Sequence, residues 1–315
     1  MDASHRAAIE AVALSKHYGS ATALTELSLT VPAGVVYGVL GPNGAGKTTL
    51  VRLLMGFVRP SGGMATIFGH DCWHDGVAAR RDVGYLVTAD ALYPDLRGEA
   101  QLDFAARLSG QPPVLRDRLL DALEFPRALL GKRLGTYSKG TKQKLALVAA
   151  IQNDPALLVL DEPSDGLDPL VQRAFEEVLT DLRDRGRTVF LSSHDLAEVE
   201  RVCERVAIVR QGRLVTEAAV ADLRRQQRRV ATVAFADGVP DGLGRVSGIE
   251  VHSVDGSRAE LLVDGEIGPL LAFLGSAQVD DLLIRRPRLE EIFLRFYDGA
   301  SAAETSPETA AERRR

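Results

Sequence analysis

Three stretches of this chain carry residue types and spacings suited to phosphate chemistry. The first is GPNGAGKTT, Gly41 to Thr49. Glycine loses more conformational freedom on ordering than other residues, so it collects where the backbone must take shapes they resist. Gly41, Gly44 and Gly46, with Pro42, Asn43 and Ala45 between them, can turn successive N–H groups onto an anion. Lys47 then supplies a compact positive charge for the β and γ phosphates of a nucleotide. Thr48 supplies a hydroxyl for Mg2+ and closes the motif, Gly41 to Thr48, which matches G-x-x-x-x-G-K-[ST] at each fixed position, with Thr49 directly after it. The second stretch is LLVLDE, Leu157 to Glu162, an apolar strand ending in two acids. Asp161 at the strand end can hold Mg2+ through water, and Glu162 is placed to polarise an attacking water. The third is YSKGTKQ, Tyr137 to Gln143, where Ser138 and Gly140 stand at the start of a helix and can face an anion with the helix dipole behind them.

These residues need a scaffold, and the hydrophobic pattern supplies one. Val35 to Leu40 is a continuous apolar run, the mark of a strand buried on both faces. Thr48 to Phe57 follows with helical spacing, so the glycine loop sits between a strand and a helix as its chemistry requires. Ala156–Leu160 and Thr188–Leu191 read as short strands with a helix, Val171–Arg185, between them, the alternation of a largely parallel α/β sheet. Ser138–Gln152 reads as a helix stopped by Asn153-Asp154-Pro155. Ile9–Leu14 and Leu24–Val31 alternate like half-buried strands, and Val206–Val209 with Arg213–Val215 flank Gln211-Gly212 as an edge hairpin. From Tyr93 to about Gly135 the pattern is mainly helical. After Glu217 a polar, Arg-rich helix leads to strands near Val230–Phe235, Ile249–Val254 and Ala259–Val263, a helix at Gly268–Leu274, and a closing RRPRLEEIFLRFY. The expected organisation is an ATPase domain over 1–217 with a helical subdomain at about 93–135, and a small α+β domain over 218–298. Residues 299–315 form a tail too polar to pack.

With YSKGTKQ lying between the glycine loop and LLVLDE, the chain resembles the ATP-binding subunits of ABC transporters over roughly Ile9 to Glu217. The resemblance implies an α/β fold of the P-loop NTPase type, with a mainly parallel sheet, an antiparallel edge sheet and a helical subdomain. It implies ATP and Mg2+ as cofactors. Ser138 and Gly140 match the family's signature, which closes over the γ-phosphate held by a second subunit, so that a homodimer or heterodimer sandwiches two ATP molecules. Tyr18 in KHYG matches the aromatic that stacks on adenine, and Ser164 to Asp168 (SDGLD) matches the loop that couples the two sites. His194 in LSSHD matches the switch histidine that contacts the γ-phosphate. The family carries Gln or Glu at the strand end after G-Y-L, where it helps hold Mg2+ and senses the permease; here Thr88 occupies that place, with Asp90 near enough to substitute. The terminal RPRLEEIFLRFY resembles the ends of exporter subunits, with Leu289, Ile292 and Phe293 as its apolar stripe.

The bulk composition agrees with a globular protein: 45% hydrophobic, 26% charged, net charge −5. A mildly acidic balance does not favour nucleic acid, and Arg224-Arg225 and Arg228-Arg229 read as solvated helix faces. No apolar run approaches the roughly 18 residues of a membrane span. The N-terminus lacks a secretory core. Cys72 and Cys203 are far apart in sequence, with no metal-ligand spacing and no hint of a disulfide framework. In HDCWHD, His70, Cys72 and His74 alternate, but two further ligands are not evident. The expectation is a cytoplasmic ATPase that powers an exporter from the inner membrane face through a separate permease. An ABC-type ATPase acting on nucleic acid or ribosomes is disfavoured by the single cassette and the lack of a heptad run. A low-turnover regulatory module is disfavoured by Glu162 and His194, and a P-loop kinase or GTPase leaves YSKGTKQ unexplained.

Overall fold

The computed structural model describes residues 7–88, 91–225 and 229–285, in two compact units that divide after Val220. The chain opens with antiparallel strands β1 (Ala7–Tyr18) and β2 (Ala21–Pro32). They outrun the alternating segments read from sequence because the register continues to Tyr18 opposite Ala21. Ala13 and Glu26 have positive φ where the register shifts, so the alternation is interrupted by bulges rather than by strand ends. Next come β3 (Val36–Leu40) and α1 (Lys47–Leu54), followed by β4 (Gly62–Ile67) and β5 (His70–Asp71). The short helix α2 (Gly76–Ala79) and β6 (Val83–Tyr85) lead into a helical segment of α3 (Gly98–Ser109) and α4 (Arg116–Ala122). Two 3-10 turns, Arg127–Leu129 and Leu134–Thr136, separate these from α5 (Lys139–Ile151). The first unit ends with β7 (Leu157–Asp161), α6 (Pro169–Asp184), β8 (Thr188–Ser193), α7 (Leu196–Val202), β9 (Arg205–Arg210) and β10 (Arg213–Ala219).

These strands form two sheets. One is antiparallel, in the order β2-β1-β4-β5; the other has the order β10-β9-β3-β8-β7-β6 and is parallel except for the edge hairpin β9–β10. The runs with no polar interruption occupy the middle: β3 is buried at all five positions and β8 at all six. One apolar core joins the sheets through α1, with Ile9, Leu29 and Ile67 on one side, Leu50 and Leu54 in the helix, and Val39, Val159 and Phe190 on the other. Helix α1 is shorter than Thr48–Phe57 because the chain leaves the helix at Met55-Gly56, where Gly56 takes positive φ.

The second unit begins with α8 (Val220–Arg225) at the division and contains β11 (Arg229–Phe235), β12 (Ile249–Asp255), β13 (Arg258–Val263), α9 (Gly268–Leu274) and β14 (Val279–Arg285). Its sheet is antiparallel, in the order β12-β13-β11-β14. Ala231, Val233 and Phe235 alternate inward with Ala259, Leu261 and Val263, and pack with Leu270 and Leu274 of α9. Strand β14 is an addition to the sequence reading. Its run VDDLLIR carries two acids and has no fully buried position, which hides a strand pattern. Leu289, Ile292, Phe293 and the tail lie outside the described residues.

Helix α6 shows how the first unit is held together. Val171, Phe175, Leu179 and Leu182 repeat at helical spacing and are buried as one stripe. Asp168 caps the helix, its Oδ1 accepting from the N–H groups of Leu170 (3.2 Å) and Val171 (3.1 Å). Phe175→Ala is expected to lower the stability of the first unit by about 3–5 kcal/mol, against about 0.5 kcal/mol or less for the exposed Glu177→Ala, in denaturant titrations of the full chain.

Candidate functional site

Parallel strands deliver their carboxyl ends to one edge of a sheet, and the crevice there is the usual binding place in such folds. In this molecule β3 runs into the glycine loop, β7 into Asp161 and Glu162, and β8, lying between them, into His194. The sheet order alone gathers three of the sequence candidates.

Gly46 caps α1 with φ 108°, and a Cβ there would stand 2.7 Å from the Ala23 carbonyl oxygen, so only glycine fits the approach of β2 to the loop. The loop is tied down at Ala45, which accepts from Gly212 N–H at 2.9 Å, while Gly212 accepts from Thr25 N–H at 2.8 Å. No side chain caps the start of α1, and its first turn holds no acid. Its opening N–H groups are therefore available to an anion, with the helix dipole adding to the attraction. Lys47 is the first helical residue and is only 6% exposed. Its Nζ donates to the Gly41 carbonyl at 2.5 Å and lies 3.1 Å from Glu162 Oε1. A buried ammonium needs such pairing, because its lost hydration must be offset.

Glu162 holds a positive φ of 49°, unusual for a residue with a side chain. Its N–H donates to Ser192 on the adjacent strand, to O at 3.2 Å and to Oγ at 3.1 Å. The same Ser192 hydroxyl donates to Asp161 Oδ1 at 2.5 Å, so one buried serine orients both acids. Glu162 Oε2 meets His194 Nδ1 at 2.7 Å and accepts from the His194 N–H at 3.3 Å. Lys47, Glu162 and His194 thus form a continuous chain of polar contacts across β3, β7 and β8. Asp165 brings a third donor atom within 4.8 Å of those of Glu162 and His194.

Asp161 and Thr48 offer oxygen only, the donor type that suits Mg2+. Strand β6 is parallel to β7, with Tyr85 opposite Val159 and Leu86 N–H donating to Val159 O at 3.0 Å, so the chain leaving β6 toward Thr88 passes the end of β7. Burial, and then the charge of Asp161, push the Tyr85 hydroxyl above its usual range, a sign of that proximity. Thr88 itself is exposed. Tyr18 is 43% exposed at the end of β1, with Lys16 Nζ 4.9 Å from its ring centroid. It pairs with Ala21, and the β2 segment just beyond, at Ala23 and Leu24, lies against Gly46.

Ser138 and Gly140 stand elsewhere, and no described hydrogen bond or ion pair joins them to the glycine loop. Ser138 caps α5, accepting from Thr141 N–H at 3.2 Å. A Cβ on Gly140 would fall 2.7 Å from the Gly166 carbonyl oxygen, so the helix start packs directly on the SDGLD loop. The buried Gln143 adds a second tie, donating to Pro163 O at 2.8 Å. His70 and His74 are engaged locally, at 2.9 Å to Asp75 and 3.2 Å to Asp71, and Cys72 is buried. The sequence reading did not single out Ser192, Gln143 or the buried Glu198. The last stands one helical turn beyond His194, just after the capping Asp195, and that spacing is the one signal that could have found it.

No helix among the described residues is long and apolar enough to cross a membrane. The family model for ABC transporters matches residues 24–165. An uncharacterised ABC transporter ATP-binding protein of Nostoc sp. is 42% identical over 62% of this chain and 59% of its own, so the chain spans less than two thirds of that relative. A Nod factor export ATP-binding protein I of Rhizobium sp. is 32% identical over 92% of this chain and 97% of its own. Among solved structures, the ATP-binding subunit of an ABC transporter superposes with a TM-score of 0.64 at 32% identity, covering 69% of this chain and 92% of that one. Because the match to the Rhizobium protein runs through both compact units and not through the glycine loop alone, this chain belongs to the ABC transporter family, as one of its ATP-binding subunits.

Proposed function

We propose that the chain powers an exporter by closing on Mg-ATP as a dimer, homodimeric or paired with a homologue, beneath a separate membrane permease that places it at the inner face of the membrane. The observation that carries this reading is the polar chain Lys47–Glu162–His194 set on the glycine loop. The amides of Gly41 to Thr49 receive the phosphates, and Lys47 exchanges Glu162 for phosphate oxygens. Glu162, released from the lysine, orients the attacking water and takes its proton. His194 moves from Glu162 to the γ-phosphate. Tyr18 stacks on adenine. Thr48, Asp161 and Thr88 would hold Mg2+, which when bound would offset charge developing on the phosphates. Ser138 and Gly140 close over the γ-phosphate of the other subunit, which agrees with the lack of any described hydrogen bond or ion pair between them and the loop of their own chain. Export as the direction is supported by the Rhizobium relative matched over nearly its whole length.

The permease needs a surface, and a groove of about 630 Å³ between β6, α3 and α5 offers an apolar one. Phe57, Val77, Tyr93 and Leu108 line it at 54%, 80%, 56% and 73% exposure. Isolated exposed apolar residues need no explanation, but a contiguous set marks an interaction site. Its position at the end of β6 connects it to Thr88, so movement of the permease can be felt at the metal.

Three outcomes test this reading. Glu162→Gln protein is expected to be a monomer by mass in solution and a dimer with Mg-ATP, and a further Ser138→Arg change is expected to restore the monomer; a Glu162→Gln protein that binds ATP yet stays monomeric would remove the homodimer. Tyr18→Ala is expected to weaken ATP binding about tenfold in a nucleotide titration, the loss of one stacked base. Leu108→Glu is expected to shift the chain out of the membrane fraction of cells containing the native transporter, while ATP affinity in solution stays unchanged.

A further inference from the structure

Glu198 takes no part in the proposed chemistry, yet it is the most deeply buried carboxylate among the described residues, at 4% exposure. Acids are almost never fully buried unless paired, and the direct partners of this one are not cations. Oε1 accepts from Ser164 Oγ and Oε2 from Ser193 Oγ, each at 2.5 Å. Ser193 also accepts from the Asp195 N–H at 3.0 Å, and its single hydrogen is directed to the carboxylate at 2.5 Å in preference to the Asp195 carbonyl at 3.4 Å. Burial pushes the Glu198 carboxyl above its usual range, the two serine hydroxyls oppose that shift, and the nearby Asp195 and Glu162 add to it. A group so costly to bury is held by two charge-assisted hydrogen bonds, and these are the strong kind.

The two serines belong to different working parts. Ser164 opens the SDGLD loop, whose Gly166 carries Gly140 of the signature helix. Ser193 precedes His194, whose ring is 53% exposed and is held in this structure by Glu162. Once a nucleotide draws Glu162 and His194 apart, the turn at Ser193 is what remains to aim the histidine. We propose that Glu198 is a positioning residue that locks the His194 turn to the SDGLD loop, so that docking of the partner subunit on that loop and placement of His194 on the γ-phosphate occur together. The inference rests on the hydrolytic roles proposed for Glu162 and His194.

The test is steady-state Mg-ATP turnover of the full chain, with ATP affinity measured separately and folding checked by thermal melting. Glu198→Ala is expected to lower kcat about tenfold or more with ATP affinity changed by no more than about twofold, since the phosphate loop is untouched. Glu198→Gln can accept from one hydroxyl and donate to the other, so it is expected to recover kcat to within about threefold of the parent. Glu198→Ala added to His194→Ala is expected to cost less than about twofold beyond His194→Ala alone, because both act through one group. Turnover of Glu198→Ala within about twofold of the parent overturns the proposal, as does a double variant whose loss is the product of the two single losses. If Glu198→Ala does not fold, Ser164→Ala removes one arm and keeps the carboxylate. A drop of about threefold in kcat at unchanged affinity supports the lock, and no drop overturns it. Glu162→Gln and His194→Ala serve as controls: if neither slows turnover, the underlying site reading has failed, independently of Glu198.

Discussion

The parallel arrangement of β3, β8, β7 and β6 is the constraint from which the rest of this molecule follows. Parallel pairing needs crossover connections on the sheet faces, and the covered strands must then be apolar throughout. Hence β3 and β8 hold no exposed position, and polar chemistry is expelled to the strand ends. With all four strands pointing the same way, those ends lie along one edge. The glycine loop, the Asp161-Glu162 pair and His194 are neighbours because their strands are, although Gly41 and His194 are 153 positions apart in the sequence.

That edge is polar but internally satisfied. Lys47 rests on the Gly41 carbonyl and on Glu162, and Glu162 rests on His194. Each of these contacts uses the donor or acceptor that the proposed reaction requires elsewhere. The arrangement stabilises buried charge while the site waits, and it also sets a threshold, since an entering anion must outbid a carboxylate for Lys47. A triphosphate brings more charge than Glu162 and can take the loop amides as well, so the exchange favours nucleotide over weaker anions.

Much of this was legible in the sequence, for identifiable reasons. Gly41 to Thr49 encodes its function within nine residues, because loop shape, charge and hydroxyl all come from one continuous segment. The buried strands were readable from unbroken apolar runs, and the cap Ser138 from its place before a helical pattern. What stayed hidden depends on contacts between distant segments. Ser192 looks like any small polar residue until β7 pairs with β8 and places it against Asp161 and Glu162. Glu198 looks like a surface acid on an amphipathic helix, and its serine partners are five and 34 residues away. Strand β14 was missed because its side chains are at best half-buried, so its pairing with β11 shows in backbone hydrogen bonds and in the packing of Val279, Leu282 and Ile284 rather than in an apolar run.

The ties around Pro163 to Asp168 have a mechanical consequence. Gly140 lies so close to the Gly166 carbonyl that no Cβ fits, Gln143 holds Pro163, and Lys144 Nζ lies 4.0 Å from Asp168. The start of α5 and the SDGLD loop are therefore packed directly on each other, by backbone contact at Gly140 and by the side chains of Gln143 and Lys144. Glu198 joins this packed pair to the turn carrying His194. The surface proposed to meet a second subunit is thereby linked to the group proposed to address the phosphate of its own chain, without passing through the nucleotide. Such a linkage needs a connector that does not stretch. A buried carboxylate with both oxygens occupied by short hydrogen bonds supplies one, because either hydroxyl moving away would leave an acceptor unsatisfied in a site that water does not reach.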